Sequence, residues 1–496
     1  MISLASVGTT LRVPDIMSSG MVLQQQTEVN LWGYSTSSEK IAVYVDWQTE
    51  PVTAKRMNDS LFVARVHTPM ASFLPHIIRF AQGCDTIQID NVLIGEVWFA
   101  SGQSNMEMPL HGFWNCPVNS NQEEIAASAE WAQRIRIATI PKTGATELCE
   151  EVCGKWQIPS PATSPWMSAV AWHFAQMMTR ALDCPIGVIV CAWGGSSVEG
   201  WTPRETLLGY KDIQLEKELK NGWNGAYWEY YTPMIMFNGM LHPLRHYTIK
   251  GLLWYQGEAN VGKPGDYAQR LATMVNIWRT EFGDSDNVLP FYQTEIAPWA
   301  GYGEGLSAPI LRDAQHRATR IIPNSGCVCT NDLVTIDEIN QIHPAEKRQV
   351  GYRLAYMALN RTYGMKQIAC DAPEYEHHEV HGKEVEVFFR YAENGLSPWQ
   401  NIQGFELSGE DGVFYPASAR INEAHRNLIV WSDAVPAPLH VRYCYKSFEI
   451  GNVKNTRNLP LVPFSTLSIS QEPQGLNDVF VTDTTTIQII QSAINK

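Results

Sequence analysis

The sequence predicts an α/β protein: a parallel sheet with helices on both faces, flanked by a β-rich unit at each end. Three observations predict it. Between residues 93 and 366 short apolar runs alternate with helical stretches, the pattern of a parallel sheet. Residues 11 to about 92 and about 374 to 470 hold only short runs with period-two alternation. A chain of 496 residues also exceeds what one core organises, so two to four domains are expected.

In order along the chain, residues 1–92 read as a small β-sandwich, with alternating runs at Glu28–Gly33, Ile41–Val45 and Leu61–Val66. The first eight residues, Met1–Gly8, lack a basic start and a full apolar stretch. They fit either the tail of a signal peptide or a ragged N-terminus. Residues 93–366 form the α/β region. Its strand-like runs are Val97–Ser101, Ile135–Thr139, Ile186–Trp193, Gly251–Gln256, Leu289–Thr294 and Gly326–Thr330. The clearest helix puts Tyr267, Leu271, Met274, Val275, Trp278 and Phe282 on one face and stops at Gly283. Residues 374–470 return to alternation in Val385–Phe389, Phe405–Leu407, Leu428–Trp431 and Leu439–Tyr443, a second β-domain. Residues 471–496 form a tail with no assigned role.

Composition excludes several functions. The formal charge is −14 with no Lys/Arg run, so a polyanion such as DNA is repelled. Only 18% of residues are charged, against about 25% in average proteins. In their place stand 17 Trp and 19 Tyr, which suit flat sugar rings. No apolar run approaches the ~20 residues of a membrane span. Of ten cysteines, the pairs Cys149/Cys153 and Cys327/Cys329 lack a second pair at zinc-finger spacing. Cys184, Cys191, Cys327 and Cys329 sit in apolar runs and read as buried thiols. One or two disulfides are open if the protein is exported.

Ligands of open α/β sheets bind beyond the carboxyl ends of the strands, and four such ends carry polar residues. After Val97–Ser101 the chain reads Gly102-Gln-Ser-Asn-Met, with Ser104 at the exit. Two readings are open for Ser104, a nucleophile near backbone N–H donors or a plain helix N-cap. After Cys191 comes the pair Gly194 and Gly195, which lets backbone approach a ligand or simply turns the chain. After Trp254 come Gln256, Glu258 and Asn260, more polar groups than a turn requires. Before a helix expected over Pro344–Tyr363 stands His343. At a helix start the macrodipole favours a neutral, proton-accepting imidazole.

Together these blocks resemble the SGNH (GDSL-like) hydrolases, and within them the sialate O-acetylesterase group. The resembling motifs are Gly102-Gln-Ser-Asn-Met, Trp193-Gly-Gly-Ser, Trp254-Tyr-Gln-Gly-Glu-Ala-Asn and Ile342-His-Pro. The flanks at Met21–Gln25, Asn238–Leu244 and Gly404–Gly412 match too. The resemblance implies a flavodoxin-like parallel sheet and a serine esterase that removes O-acetyl groups from a sugar, sialic acid foremost. It implies Ser104 as nucleophile and His343 as base. Oxyanion donors would be the N–H of Ser104, that of Gly195 (or Gly194), and an amide from Gln256 (or Asn260). No metal or organic cofactor is implied. A periplasmic or secreted location follows from the same resemblance.

One position departs. SGNH enzymes place an Asp three residues before the His, and here Asn340 stands there. A carboxylate lost from a triad can cost about 10⁴ in rate. Glu258 is the leading substitute, with Asp337 and Glu338 as alternatives and a Ser–His dyad braced by a backbone carbonyl as a third. An acetylxylan or other glycan esterase is the competing substrate reading. An inactive carbohydrate-binding protein is the competing class. A sialic acid carboxylate invites an Arg clamp, for which Arg136, Arg204, Arg245, Arg279, Arg312 and Arg317 are candidates. The aromatic loops Leu110–Pro117 and Trp223–Tyr231 are candidate pocket walls. Oligomeric state is left open.

Overall fold

The computed structural model describes residues 11–222 and 229–467. The N-terminal start at residues 1–8, most of the loop 223–231 and the tail 471–496 lie outside the described residues.

A central sheet runs in the order Trp156–Gln157, Ile135–Thr139, Ile186–Ala192, Asp85–Gly102, Gly251–Tyr255, Phe291–Thr294, Ser325–Val328. All pairs are parallel except the antiparallel edge at Trp156–Gln157. Its strands are apolar without interruption because both faces are covered. Trp98, Ala100, Val188, Val190, Leu253 and Tyr255 face one layer, which holds the helices Ala169–Leu182 and Arg348–Arg361. Val97, Phe99, Ile189, Cys191, Leu252 and Trp254 face the other, which holds Tyr267–Glu281 and Ser307–Ile321. Odd and even positions thus serve opposite cores. Gly351 lets the first two helices touch, since a Cβ there would lie 2.7 Å from Phe174 N and Val170 O. The helix expected from Tyr267 buries Tyr267, Leu271, Met274, Val275 and Trp278, with Phe282 half-buried at its C-cap, and ends just before Gly283, at φ +77°.

The strand Asp85–Gly102 is 18 residues long and belongs to two regions. Its first part pairs with Ser72–Gln82 and Val22–Gln24, and its last part is the middle of the central sheet. Residue 92, where composition changes, falls inside it. A second N-terminal sheet, Glu28–Tyr34 with Leu61–His67 and Lys55–Arg56, packs on the first through rings such as Phe62 and Phe80, 6.0 Å apart. At the other end, sheets of Glu374–His381/Glu384–Arg390/Asn427–Trp431/Ser418–Asn422 and Tyr415–Pro416/Phe405–Ser408/His440–Tyr443/Phe464–Ser465 enclose Val385, Val387, Leu407, Leu428 and Val441. This unit is fastened to the strand-end loops by Lys454 Nζ on Asp332 (2.8 Å) and Trp299 N–H on Ser447 O (2.9 Å). No helix among the described residues is long and apolar enough to cross a membrane. All ten cysteines are free thiols.

Two sequence expectations need correction. The helix expected from Pro344 begins at Arg348, so His343 lies outside the first turn and the macrodipole is not its main influence. Ser104 is the first residue of a short helix, Ser104–Glu107, whose cap is Gln103; its hydroxyl caps nothing.

Gly102 makes that exit feasible. Its φ is +137°, and a Cβ there would lie 2.1 Å from Tyr255 O on the neighbouring strand. Gly102→Ala is expected to cost about 4 kcal/mol, strain and overpacking together. A urea midpoint unchanged from wild type would refute that close approach.

Candidate active site

The chain leaves Asp85–Gly102 in the middle of the sheet, builds one flank with Ile186–Ala192, then crosses to the other with Gly251–Tyr255. In open α/β sheets ligands bind beside such a switch point, beyond the strand ends. Ser104, Gly194 with Gly195, and Gln256 to Glu258 all lie just past those three ends. A Cβ on Gly194 would sit 3.2 Å from Ser104 Cβ, so the first two blocks are in contact.

The fourth block is brought in by hydrogen bonds between flanking residues. Asn105 Nδ2 donates to Ile342 O at 3.1 Å, joining the residue after Ser104 to the one before His343. Lys347 Nζ donates to Asn105 Oδ1 at 2.7 Å, and Asn105 Nδ2 also donates to Glu258 Oε1 at 2.6 Å. Ser104 and His343 are 5% and 3% exposed, so both are buried. Ser104 Oγ has no hydrogen bond among the described residues, consistent with a hydroxyl kept for a substrate.

The histidine has a defined tautomer by bonding logic. Its Nδ1 lies 3.7 Å from Cys116 Sγ, and that thiol donates to Gln341 Oε1 at 3.2 Å. With its proton committed to Gln341, sulfur accepts from Nδ1–H, and Nε2 keeps the lone pair. Gln341 is itself fixed, donating to Asn115 O at 3.1 Å and accepting from His343 N–H at 3.3 Å. Burial pushes the Cys116 thiol above its usual pKa, which keeps the S–H proton in place. The ring of Phe113 meets the imidazole edge-on at 5.2 Å. Burial, then the Lys347 ammonium, pull His343 down to about 3. Burial also pulls Lys347 down to about 8, against the carboxylate of Glu258.

None of the three acids expected beside His343 is bonded to it. Glu258 binds Asn105 through Oε1, while its buried Oε2 has no partner, and burial raises its pKa. Glu338 closes a capping box with Thr335 and accepts from Ala345 N–H at 2.7 Å. Asp337, next to it on the same short turn, makes no ion pair with the ring among the described residues. Among the described residues no backbone carbonyl takes Nδ1 either; the thiol does.

Of the expected amide donors, Gln256 is fully engaged and Asn260 is engaged through one hydrogen. Both hydrogens of Gln256 Nε2 are used, on Ser196 O (3.0 Å) and Asn260 Oδ1 (2.7 Å). Asn260 Nδ2 donates to Glu199 Oε2 at 3.0 Å. Gly194 N–H is taken by Glu107 Oε2 at 2.7 Å, and Glu107 carries Lys142 Nζ at 2.8 Å. Left without a protein acceptor are the N–H groups of Ser104 and Gly195, the latter at φ +79°. Gln103 adds a side-chain candidate that the motif reading missed. Its Oε1 accepts from Gly257 N–H and Ala259 N–H, both at 3.3 Å, which leaves Nε2 unengaged among the described residues.

Aromatic side chains pack beside these residues. Tyr230 packs on Gly195, where a Cβ would come within 2.5 Å of its ring. The loop Leu110–Pro117 supplies Phe113 and Cys116 and pairs with residues 165–167 through Leu110 N–H and His111 N–H. Trp114 and Trp166 remain exposed there. The arginines expected as carboxylate clamps are engaged elsewhere. Arg204, Arg245 and Arg317 pair with Glu216, Glu150 and Asp313; Arg136, Arg279 and Arg312 donate to backbone carbonyls.

Comparison with known proteins fits this geometry. Residues 94–360 match a family described as carbohydrate esterase, sialic acid-specific acetylesterase. The chain is 26% identical over 472 residues to the mouse sialate O-acetylesterase, covering 83% of each. It is 26% identical over 399 residues to the human sialate O-acetylesterase, covering 74% of each. A crystal structure of a carbohydrate acetylesterase from Xanthomonas citri is similar with a TM-score of 0.80 at 30% identity. That similarity covers 92% of this chain and all of the other.

Proposed function

Because the chain belongs to the sialic acid-specific acetylesterase family of carbohydrate esterases, we propose that it removes O-acetyl groups from sialic acid through an acetyl-enzyme. Ser104 Oγ attacks the acetyl carbonyl while His343 Nε2 takes its proton. The sugar leaves as its alcohol, reclaiming that proton, and water then hydrolyses the acetyl-enzyme by the same route in reverse.

One observation carries this reading: an unbonded serine hydroxyl at the switch point, beside unengaged N–H groups, with a histidine of fixed tautomer tied in through Asn105. The N–H groups of Ser104 and Gly195 hold the oxyanion, with Gln103 Nε2 as the side-chain donor. Each such donor is typically worth about 3 kcal/mol in the transition state. Gln256 braces the strand end rather than touches the substrate, and Asn260 keeps one Nδ2 hydrogen without a partner among the described residues. Cys116 and Gln341 orient the imidazole in place of a triad carboxylate. Asn105 and Lys347 hold the two catalytic segments together, with Glu258 beneath. A periplasmic or secreted location suits an enzyme working on surface sugars.

Lys142 supports sialic acid over a neutral sugar. It is a partly exposed cation, held by Glu107 at the rim beside Gly194 and Ser104. A sialic acid carboxylate can exchange with Glu107 on that ammonium, whereas a xylan unit has no charge to use it. Trp114 and Trp166 offer flat surfaces for either sugar.

Acetate release from O-acetylated sialic acid and from acetylated xylo-oligosaccharides, by wild type and Lys142→Ala, tests the reading. Sialic acid is expected to be the better substrate. Lys142→Ala is expected to raise its KM about tenfold, the value of one charge-assisted hydrogen bond, and to leave xylo-oligosaccharides unaffected. Faster turnover of the neutral substrate would transfer the enzyme to the acetylxylan esterases. No acetate from either would leave an inactive carbohydrate-binding protein.

A further inference from the structure

We propose that the outer face of the C-terminal β-unit holds a divalent transition-metal ion, with Zn²⁺ the best fit, on Glu379, His381 and Glu386. The site lies apart from the ester chemistry and does not depend on the reading above.

The strands Glu374–His381 and Glu384–Arg390 form an antiparallel hairpin in which Glu379 stands directly opposite Glu386. Like charges directly opposite on one face destabilise a sheet unless something neutralises them. The nearby Glu384 is neutralised, since Arg420 Nη2 donates to both of its oxygens at 3.0 Å. No Lys or Arg reaches Glu379 or Glu386 among the described residues. What faces them are two imidazoles: His425, whose Nδ1 meets Glu386 Oε1, and His381, two residues along from Glu379 and therefore on the same face.

The separations discriminate between a protonated histidine and a shared ion. His381 Nε2 lies 3.4 Å from Glu379 Oε2 and 3.5 Å from Glu386 Oε2. Three other histidines paired with a carboxylate close to 2.7 Å, His76 on Asp46, His242 on Glu281 and His316 on Glu295, whereas the exposed His377 stands 3.9 Å from Glu376. The trio is too open for good hydrogen bonds, which run about 2.7–3.2 Å for N–H···O. Zinc bonds to imidazole and carboxylate of about 2.0–2.2 Å place neighbouring ligands of a tetrahedron about 3.3–3.6 Å apart. All three ligand atoms lie within 4.8 Å of one another.

The surroundings also resemble a metal site. Glu386 is mostly buried, and its Oε1 accepts from Asn422 Nδ2 and Asn427 Nδ2, both at 2.8 Å, and meets His425 Nδ1 at 2.5 Å. This fixes the carboxylate and directs Oε2 at His381, the outer support that metal-ligating carboxylates receive. One imidazole and two carboxylates suit zinc better than calcium, which takes six to eight oxygens. The ion would staple the hairpin and stabilise the unit against unfolding.

Titrating the full chain with ZnCl₂ by calorimetry, alongside His381→Gln and Glu379→Gln, tests the site. Both side chains are over half exposed, so these variants should fold. Wild type is expected to bind one equivalent more than either variant, with micromolar affinity, and to gain a few degrees in melting temperature that the variants do not. Equal stoichiometry in wild type and variants, as thiol binding alone would give, overturns the proposal. So does a wild type that binds no Zn²⁺ at all.

Discussion

Ser104→Ala is expected to lower kcat by about 10⁶-fold while leaving the protein folded. The hydroxyl is bonded to nothing among the described residues and caps no helix, so its removal breaks no structural contact. The neighbouring Asn105, which does hold the site together, is untouched. Melting temperature is therefore expected to stay within a degree or two, and KM within a few-fold, because the oxyanion N–H groups and sugar contacts remain. The double variant Ser104→Ala/His343→Ala is expected to be no slower than the single one, since nucleophile and base act as a unit. Kinetics on a chromogenic acetyl ester and on O-acetylated sialic acid would measure both. Residual activity above a percent or so in a well-folded Ser104→Ala, with contaminating esterase excluded, would remove Ser104 from the nucleophile's role.

How much of this arrangement the sequence exposes follows from the kinds of interaction that build it. The runs at Val97, Ile186 and Gly251 are readable because strands covered on both faces must be apolar throughout, and polar residues can appear only where the strands end. That logic finds Ser104, Gly195 and Glu258 directly. It does not say where an amide points. Gln103 and Gln256 are both glutamines at neighbouring strand ends, yet one spends its N–H groups on Ser196 and Asn260 while the other leaves Nε2 unengaged. Cys116 is 227 positions from His343, in a loop whose aromatics draw the eye, and no local pattern links a thiol there to an imidazole. Pro344 is a fair helix-start signal. The chain nevertheless stays irregular to Arg348, because Ala345 N–H is tied to Glu338 and the Lys347 side chain to Asn105. In each case the deciding bond is long-range, and periodicity carries no information about it.

His343→Ala is expected to be about as damaging as Ser104→Ala, and the pH profile of wild type tests the proposed role of the histidine as base. An ordinary histidine with a pKa near 6.5 would be about 3% neutral at pH 5, so kcat/KM would fall about thirtyfold from pH 8. His343 is pulled to about 3 by burial and then by Lys347. It remains a neutral base throughout that range, and kcat/KM is expected to hold within twofold between pH 8 and pH 5. The same shift has a cost in stability. Below pH 6.5 the unfolded chain binds a proton on this residue that the folded chain does not. Its effect is therefore absent above pH 6.5, and stability falls as pH drops from there to about 3. Initial rates at pH 5 should be read before any slow unfolding. The Cys116 contact makes a second demand on the same curve. A thiol that accepts Nδ1–H fixes the tautomer but adds no negative charge, unlike a triad carboxylate. Cys116→Ala is then expected to reduce kcat about tenfold through a misaligned ring, far short of the 10⁴ attached to a missing carboxylate. An acid limb at pH 6.5 in wild type would mean that an acid reaches the imidazole in the working enzyme. Glu258, whose Oε2 is buried without a partner beneath Asn105, would then be the group to replace first.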